Sequence, residues 1–228
     1  MQTTAQNKPQ PKKEVEPPPE FRANKIMAME SPQLVAILKD PASTEFQKMK
    51  ACQRLAVVGT KEAVPVLASM LGDAKMAHYA RFGIVPIQDP SVDDALREAA
   101  KKLKGKLLEG VINSIGQRRD VKAIPMLTRL LYGVDIEMAS AAAASLGLIS
   151  GPSAVKVLQE ALLKTKGAVR TASAEAGLVA AEGLIAQGDR KGALALYAVL
   201  SRPDIPKPVR LAAMHSTIET ETSLSRPR

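Results

Sequence analysis

Apolar residues recur along this chain at helical spacing, and one arrangement of them is repeated. In Asp120-Val-Lys-Ala-Ile-Pro-Met-Leu-Thr-Arg-Leu-Leu-Tyr-Gly133, a start residue leads to Ala, a β-branched apolar residue, Pro, an apolar residue and Leu, with Gly closing the run. Thr60-Lys-Glu-Ala-Val-Pro-Val-Leu-Ala-Ser-Met-Leu-Gly72 follows the same frame. Recurrence at intervals of roughly 30 residues is the signature of a stacked repeat array. Between these phrases lies a second kind of helix, clearest in the i, i+3, i+4, i+7 stripe Leu108, Val111, Ile112 and Ile115. No window alternates with period two, so the expected fold is all-α.

Start and stop signals divide the chain. Ser31-Pro32, Asp40-Pro41 and Asp89-Pro90, with a weaker Gly151-Pro152, pair an N-cap or its neighbour with Pro at the first helical position. Gly59, Gly72, Gly105, Gly116, Gly133, Gly167 and Gly188 fall near expected helix ends, where a left-handed residue is wanted. The spacing predicts helices of roughly 10 to 18 residues joined by tight turns. Aligning the second helix of each pair places Ala63, Ala95, Ala123, Ala154 and Ala193 in register, with Leu71, Leu103, Leu131 and Leu162 eight positions on. The first helix of the fifth unit is long, about 168 to 187. Pro86 should end or kink the first helix of unit two. Pro65 and Pro125 fall at or just past a first turn, where few hydrogen bonds are lost.

A first helix ending near Gly, followed by a second reading Ala-β-branched-Pro-x-Leu, resembles HEAT-type repeats, above all the short bacterial form named after phycobilisome-lyase repeats. The resemblance covers about residues 33–215 and is strongest over 51–72 and 108–133. Tyr79-Ala-Arg-Phe-Gly-Ile-Val-Pro-Ile-Gln-Asp-Pro90 looks like a variant second repeat of multi-repeat bacterial proteins, many of them exported. The resemblance implies a right-handed α-solenoid of antiparallel helix pairs. It carries over no activity, because such repeats serve unrelated roles. The expected organisation is a Pro/Lys/Glu-rich disordered tail over 1–30, a solenoid of about five helix pairs and a partial sixth over 31–215, and a polar C-terminal tail or truncation point over 216–228.

Composition narrows the chemistry. Aromatic residues are only 3%, with no Trp, so the core must be built from Ala, Leu, Val, Ile and Met. The single cysteine, Cys52, excludes an intramolecular disulfide and reads as a small buried hydrophobe. No run approaches the roughly 18 apolar residues of a membrane span, and no apolar signal segment follows the first residues. The expected location is cytoplasmic, or extracytoplasmic if the N-terminus is incomplete. His78 and His215 are each not followed by Glu, unlike the His-Glu di-iron pairs of HEAT-type hydroxylases. They form no metal-site pattern, and no phosphate-cradling loop or nucleophile elbow is present. No cofactor and no catalytic residue is expected.

Charge supplies the one candidate site. The net charge is +9, and residues 97–130 hold nine basic against three acidic residues, a local net of +6. Arg97, Lys101, Lys104, Lys106, Arg118, Arg119 and Lys122 are the candidate contacts for a protein partner or a polyanion. The scarcity of aromatic residues argues against base stacking. The leading expectation is a non-enzymatic scaffold, monomeric or part of a larger chain, that binds a protein partner. The alternative is nucleic-acid binding through 97–122.

Overall fold

The computed structural model describes residues 25–222 and is α-helical among them, without strands. Of the expected N-terminal tail, residues 1–24 lie outside the described residues. Residues 25–27 form a helical turn that buries Ile26. The helices are α1 (Ser31–Lys39), α2 (Glu45–Val58), α3 (Val64–Ser69), α4 (Ala77–Ile84), α5 (Pro90–Lys102) and α6 (Gly105–Gln117). They continue as α7 (Ile124–Leu131), α8 (Ile136–Ile149), α9 (Gly151–Lys164), α10 (Gly167–Ala186), α11 (Arg190–Leu200) and α12 (Lys207–Thr222). Successive even-numbered helices pack side by side from α2 to α12. Each odd-numbered helix packs against the even-numbered helix that follows it. The result is an α-solenoid in which odd- and even-numbered helices alternate from α1 to α12. The helix continues through Thr222, past the boundary expected at residue 216, because Val209, Ala213 and Thr220 are buried along it.

The repeated phrase has a definite local structure. Lys61–Ala63 and Val121–Ala123 are single 3₁₀ turns, and each leads directly into an α-helix whose second residue is Pro65 or Pro125. A proline there lacks only an N–H that has no intrahelical partner, so the phrase starts a helix without breaking it. Asp120 caps the second copy by accepting from Lys122 N at 3.0 Å.

The register of unit two differs from expectation. Ala63, Ala123, Ala154 and Ala193 are fully buried, but Ala95 is only half-buried, and Val92 occupies the buried position. The start residue decides this: Asp89 caps α5 by accepting from Ser91 N at 2.9 Å. Val92 therefore stands three residues after its start, as Ala63 stands after Thr60 and Ala123 after Asp120. With that shift, Leu67, Leu96, Leu127, Leu158 and Tyr197 all fall four residues further on and all are buried. Leu103, the expected anchor, is half-buried, and Ala100 takes its place.

Further start and stop assignments change as well. Asp40 ends α1, and Pro41 lies in a turn; α2 starts instead at Thr44, which accepts from Gln47 N at 3.2 Å. Ser31 is the first residue of α1, not its cap, and its hydroxyl contacts that of Thr60 at 3.2 Å. Gly116 lies inside α6, and Gly105 and Gly167 begin helices.

Small residues set the distance between neighbouring even-numbered helices. A Cβ on Gly83 would stand 2.8 Å from the Cys52 carbonyl oxygen of α2. On Gly116 it would stand 2.7 Å from Ser145 Cα of α8, and on Gly147 2.7 Å from the Ala176 carbonyl oxygen of α10. These glycines recur at about one repeat and leave no room for any side chain, so the helices touch backbone to backbone. Ser145 Oγ uses that approach to donate to the Ile112 carbonyl at 2.9 Å. Cys52 is buried in α2 as expected of a core residue. Its burial pushes the thiol pKa up to about 12 and keeps it protonated.

Candidate functional site

The basic segment is built on α5, α6 and the turn into α7. Two of its guanidinium groups are engaged by the protein itself. Arg97 pairs with Asp94 one turn back on α5 and with Asp120 at the start of the next second helix. Asp120 is 5% exposed at its side chain and Arg97 18%. Burial works against the Arg97 charge, but the hydrogen bonds and charges of Asp120 and Asp94 outweigh it and hold its pKa above the ordinary value.

Arg118 is more deeply engaged. Its side chain is 10% exposed and pairs with Asp93 through Nε and, at 3.2 Å, through Nη2. The same group donates to the carbonyl oxygens of Val85 at 2.6 Å, Ile87 at 2.8 Å and Asp89 at 3.3 Å. Those carbonyls belong to the loop that follows α4, which ends at Ile84, two residues ahead of Pro86. The loop forms no ladder, so its backbone acceptors need a partner, and the five-donor fork of one arginine supplies several.

The remaining candidates are at the surface. Lys101 pairs with Glu98, and Lys106 pairs with Glu109 at 2.9 Å and Glu137 at 3.2 Å. Lys104, Arg119 and Lys122 are exposed, with no side-chain partner among the described residues. Arg119 and Lys122 line a cleft of about 320 Å³ with Arg97, Arg118, Asp93, Asp94 and Asp120. The structure thus brings four of the seven candidate cations together, but beside three carboxylates.

Arg119 also has a backbone role. Its φ of 55° is left-handed, and its N–H reaches the Gly116 carbonyl at 2.9 Å while the Asp120 N–H reaches Ile115 at 3.3 Å. Gly188, with φ 87°, closes α10 with the same pair of bonds. Arg119→Gly is therefore expected to stabilise the protein by about 1 kcal/mol, because glycine adopts this conformation without strain. Thermal denaturation should show a Tm rise of about 3 °C; a fall would mean the Arg119 side chain makes a stabilising contact.

A second surface was not singled out by charge counting. Between α4 and α6 lies an open cleft of about 510 Å³ lined by His78, Arg81, Phe82, Val85, Pro86, Gly110, Asn113, Ser114 and Gln117. Phe82 is 53% exposed, although it is a large aromatic residue in mid-helix. Arg81 is half-buried, its side chain makes no ion pair or hydrogen bond among the described residues, and burial lowers its pKa. Its guanidinium lies over Gly110, where a Cβ would stand 2.3 Å from Cζ. Arg81 and Gly110 are 29 residues apart, about one repeat, and this spacing was the signal available in the sequence.

Among the described residues no three His, Cys, Asp or Glu side chains converge to hold a metal ion, and no helix is long and apolar enough to cross a membrane. The family model for HEAT repeats matches residues 92–179. No curated protein matches the chain. Among solved structures, the chain is similar in outline to an engineered protein at 17% identity and TM-score 0.48, covering 87% of this chain and 97% of that one. It also aligns with human deoxyhypusine hydroxylase at 16% identity and TM-score 0.38, covering 90% and 91% respectively. Helices that repeat at about 30 residues and buried anchors at equivalent positions agree with the family match: residues 92–179 carry HEAT repeats, and the described residues form an α-solenoid.

Proposed function

We propose that the chain is a non-enzymatic scaffold that holds a protein partner on the α4–α6 surface. The observation that carries this reading is the cleft just described: an exposed Phe82 beside an arginine without a counter-ion. Aromatic and arginine side chains dominate the binding energy of protein interfaces. An exposed ring and a half-buried, unpaired guanidinium both gain when a partner covers them. The helices that carry them are fixed from below by glycine-mediated contacts, so the surface is preorganised and little ordering entropy opposes binding.

The test is a photo-cross-linking amino acid placed at Phe82, with Lys156 on α9 as the control position. The expected result is one discrete cross-linked protein from position 82 and none from 156. Equal patterns from the two positions, or none from 82, would count against the reading. A second reading, polyanion binding through 97–122, is supported by the free head groups of Lys104, Arg119 and Lys122. Its strength is set by how many cations can reach a phosphate, and salt dependence measures that number.

A further inference from the structure

We propose that the α4–α6 cleft recognises a carboxylate of a partner's extended peptide segment, seated on the guanidinium of Arg81. This rests on the scaffold reading and names what the partner presents.

Charge complementarity carries the argument. Arg81 is the one arginine or lysine lining the cleft, and no carboxylate lines it. Every other deeply placed arginine in this region has an acidic partner: Asp120 for Arg97 and Asp93 for Arg118. A half-buried guanidinium without an anion is the less stable arrangement. A carboxylate restores the balance with two parallel N–H···O bonds, a geometry that suits the planar fork of arginine. One positive charge matches one carboxylate, whereas a phosphate dianion would remain half-neutralised.

Gly110 makes the site possible. It lies within α6, where glycine costs about 1 kcal/mol relative to alanine. Its missing side chain is the space over which the Arg81 guanidinium lies, since a Cβ there would overlap Cζ at 2.3 Å. Asn113 and Gln117 follow on the same face of α6 and carry side-chain amides without partners among the described residues. They are donors for a peptide backbone, and Phe82 and Pro86 form the apolar wall. A volume of about 510 Å³ takes a few residues and not a folded domain.

The test titrates the isotope-labelled protein with N-acetylphenylalanine, with N-acetylaspartate amide and with the neutral N-acetylphenylalanine amide, and follows the Gly110 and Asn113 amide resonances. The expected result is a dissociation constant of about 1 mM for a carboxylate probe and at least about tenfold weaker binding of the neutral amide. The two acids distinguish a chain terminus from an acidic side chain. Arg81→Gln should weaken carboxylate binding about tenfold or more. Gly110→Ala should do the same while raising Tm, because the methyl group stabilises the helix and displaces the guanidinium. A neutral amide that binds as well as the acid, tighter binding of inorganic phosphate, or unchanged binding by Gly110→Ala would each overturn the proposal. A partner cross-linked at position 82 and indifferent to Arg81→Gln would overturn it too, and leave the scaffold reading intact. Carboxylate binding without any cross-linked protein would sustain this site and remove the scaffold reading.

Discussion

Leu127→Asp is expected to unfold the array. Leu127 is fully buried at the centre of the chain, in the set that includes Leu67, Leu96, Leu158 and Tyr197. Deleting a buried leucine side chain costs about 2–5 kcal/mol. An unpaired carboxylate at the same place adds several more, unless it takes up a proton. The sum rivals the entire stability of a typical domain, about 5–15 kcal/mol. A central unit also holds both of its neighbours, so damage there interrupts the stack. Far-ultraviolet circular dichroism should show most helicity lost, while Leu127→Ala keeps it with a lower Tm. An aspartate variant that melts like the wild type would mean that the second helices are in another register.

Arg118→Met should lower stability by about 3 kcal/mol. The substitution keeps an unbranched stem and removes only the guanidinium. It leaves Asp93 without its cation and frees the carbonyls of Val85, Ile87 and Asp89. Removing one member of a buried pair costs about 3–5 kcal/mol, and Asp93 at 25% exposed can recover some water contact, which argues for the lower end. A chain of this size should lose about 10 °C in Tm. Arg118→Lys should recover little, because one ammonium cannot span the carboxylate and three carbonyls. A methionine variant with unchanged Tm would make Arg118 an ordinary surface charge.

Much of the fold was legible because its signals are local. The frame from Asp120 to Gly133 states start, turn, proline and anchor within fourteen residues, and the structure places 3₁₀ turn and α-helix along it. Unit two departs from the expected register because Ala95 imitates the alanine of that frame. Its proline stands directly after the start residue Asp89, with no 3₁₀ turn between, so counting from Asp89 would have reached Val92. Asp40-Pro41 shows the same limit: an N-cap residue and a proline also make a turn, and only Thr44, paired with Gln47, starts the helix.

The site was less legible because its partners are not neighbours in sequence. Counting cations over 97–130 finds a patch, but Arg97 meets Asp120 and Arg118 meets Asp93 and Val85 across 23, 25 and 33 residues. Those separations are near one repeat, the distance that brings adjacent units into contact. Charges in a solenoid must therefore be paired one repeat apart before any are assigned to a ligand. By the same rule Arg81 faces Gly110, and finds no acid there.

Arg97 and Arg118 of the basic segment are engaged within the fold, and the salt dependence of retention on double-stranded DNA tests this most directly. Each cation that neutralises a phosphate contributes about −0.9 to the slope of log K against log salt. If only Lys104, Arg119 and Lys122 are free, the slope should be no steeper than about −3, with weak retention even at about 50 mM salt. A slope of about −6 that Arg97→Gln and Arg118→Gln each make shallower by about 0.9 would place both guanidinium groups on phosphate. Arg97 and Arg118 would then have to leave Asp120 and Asp93, and that result would contradict the account.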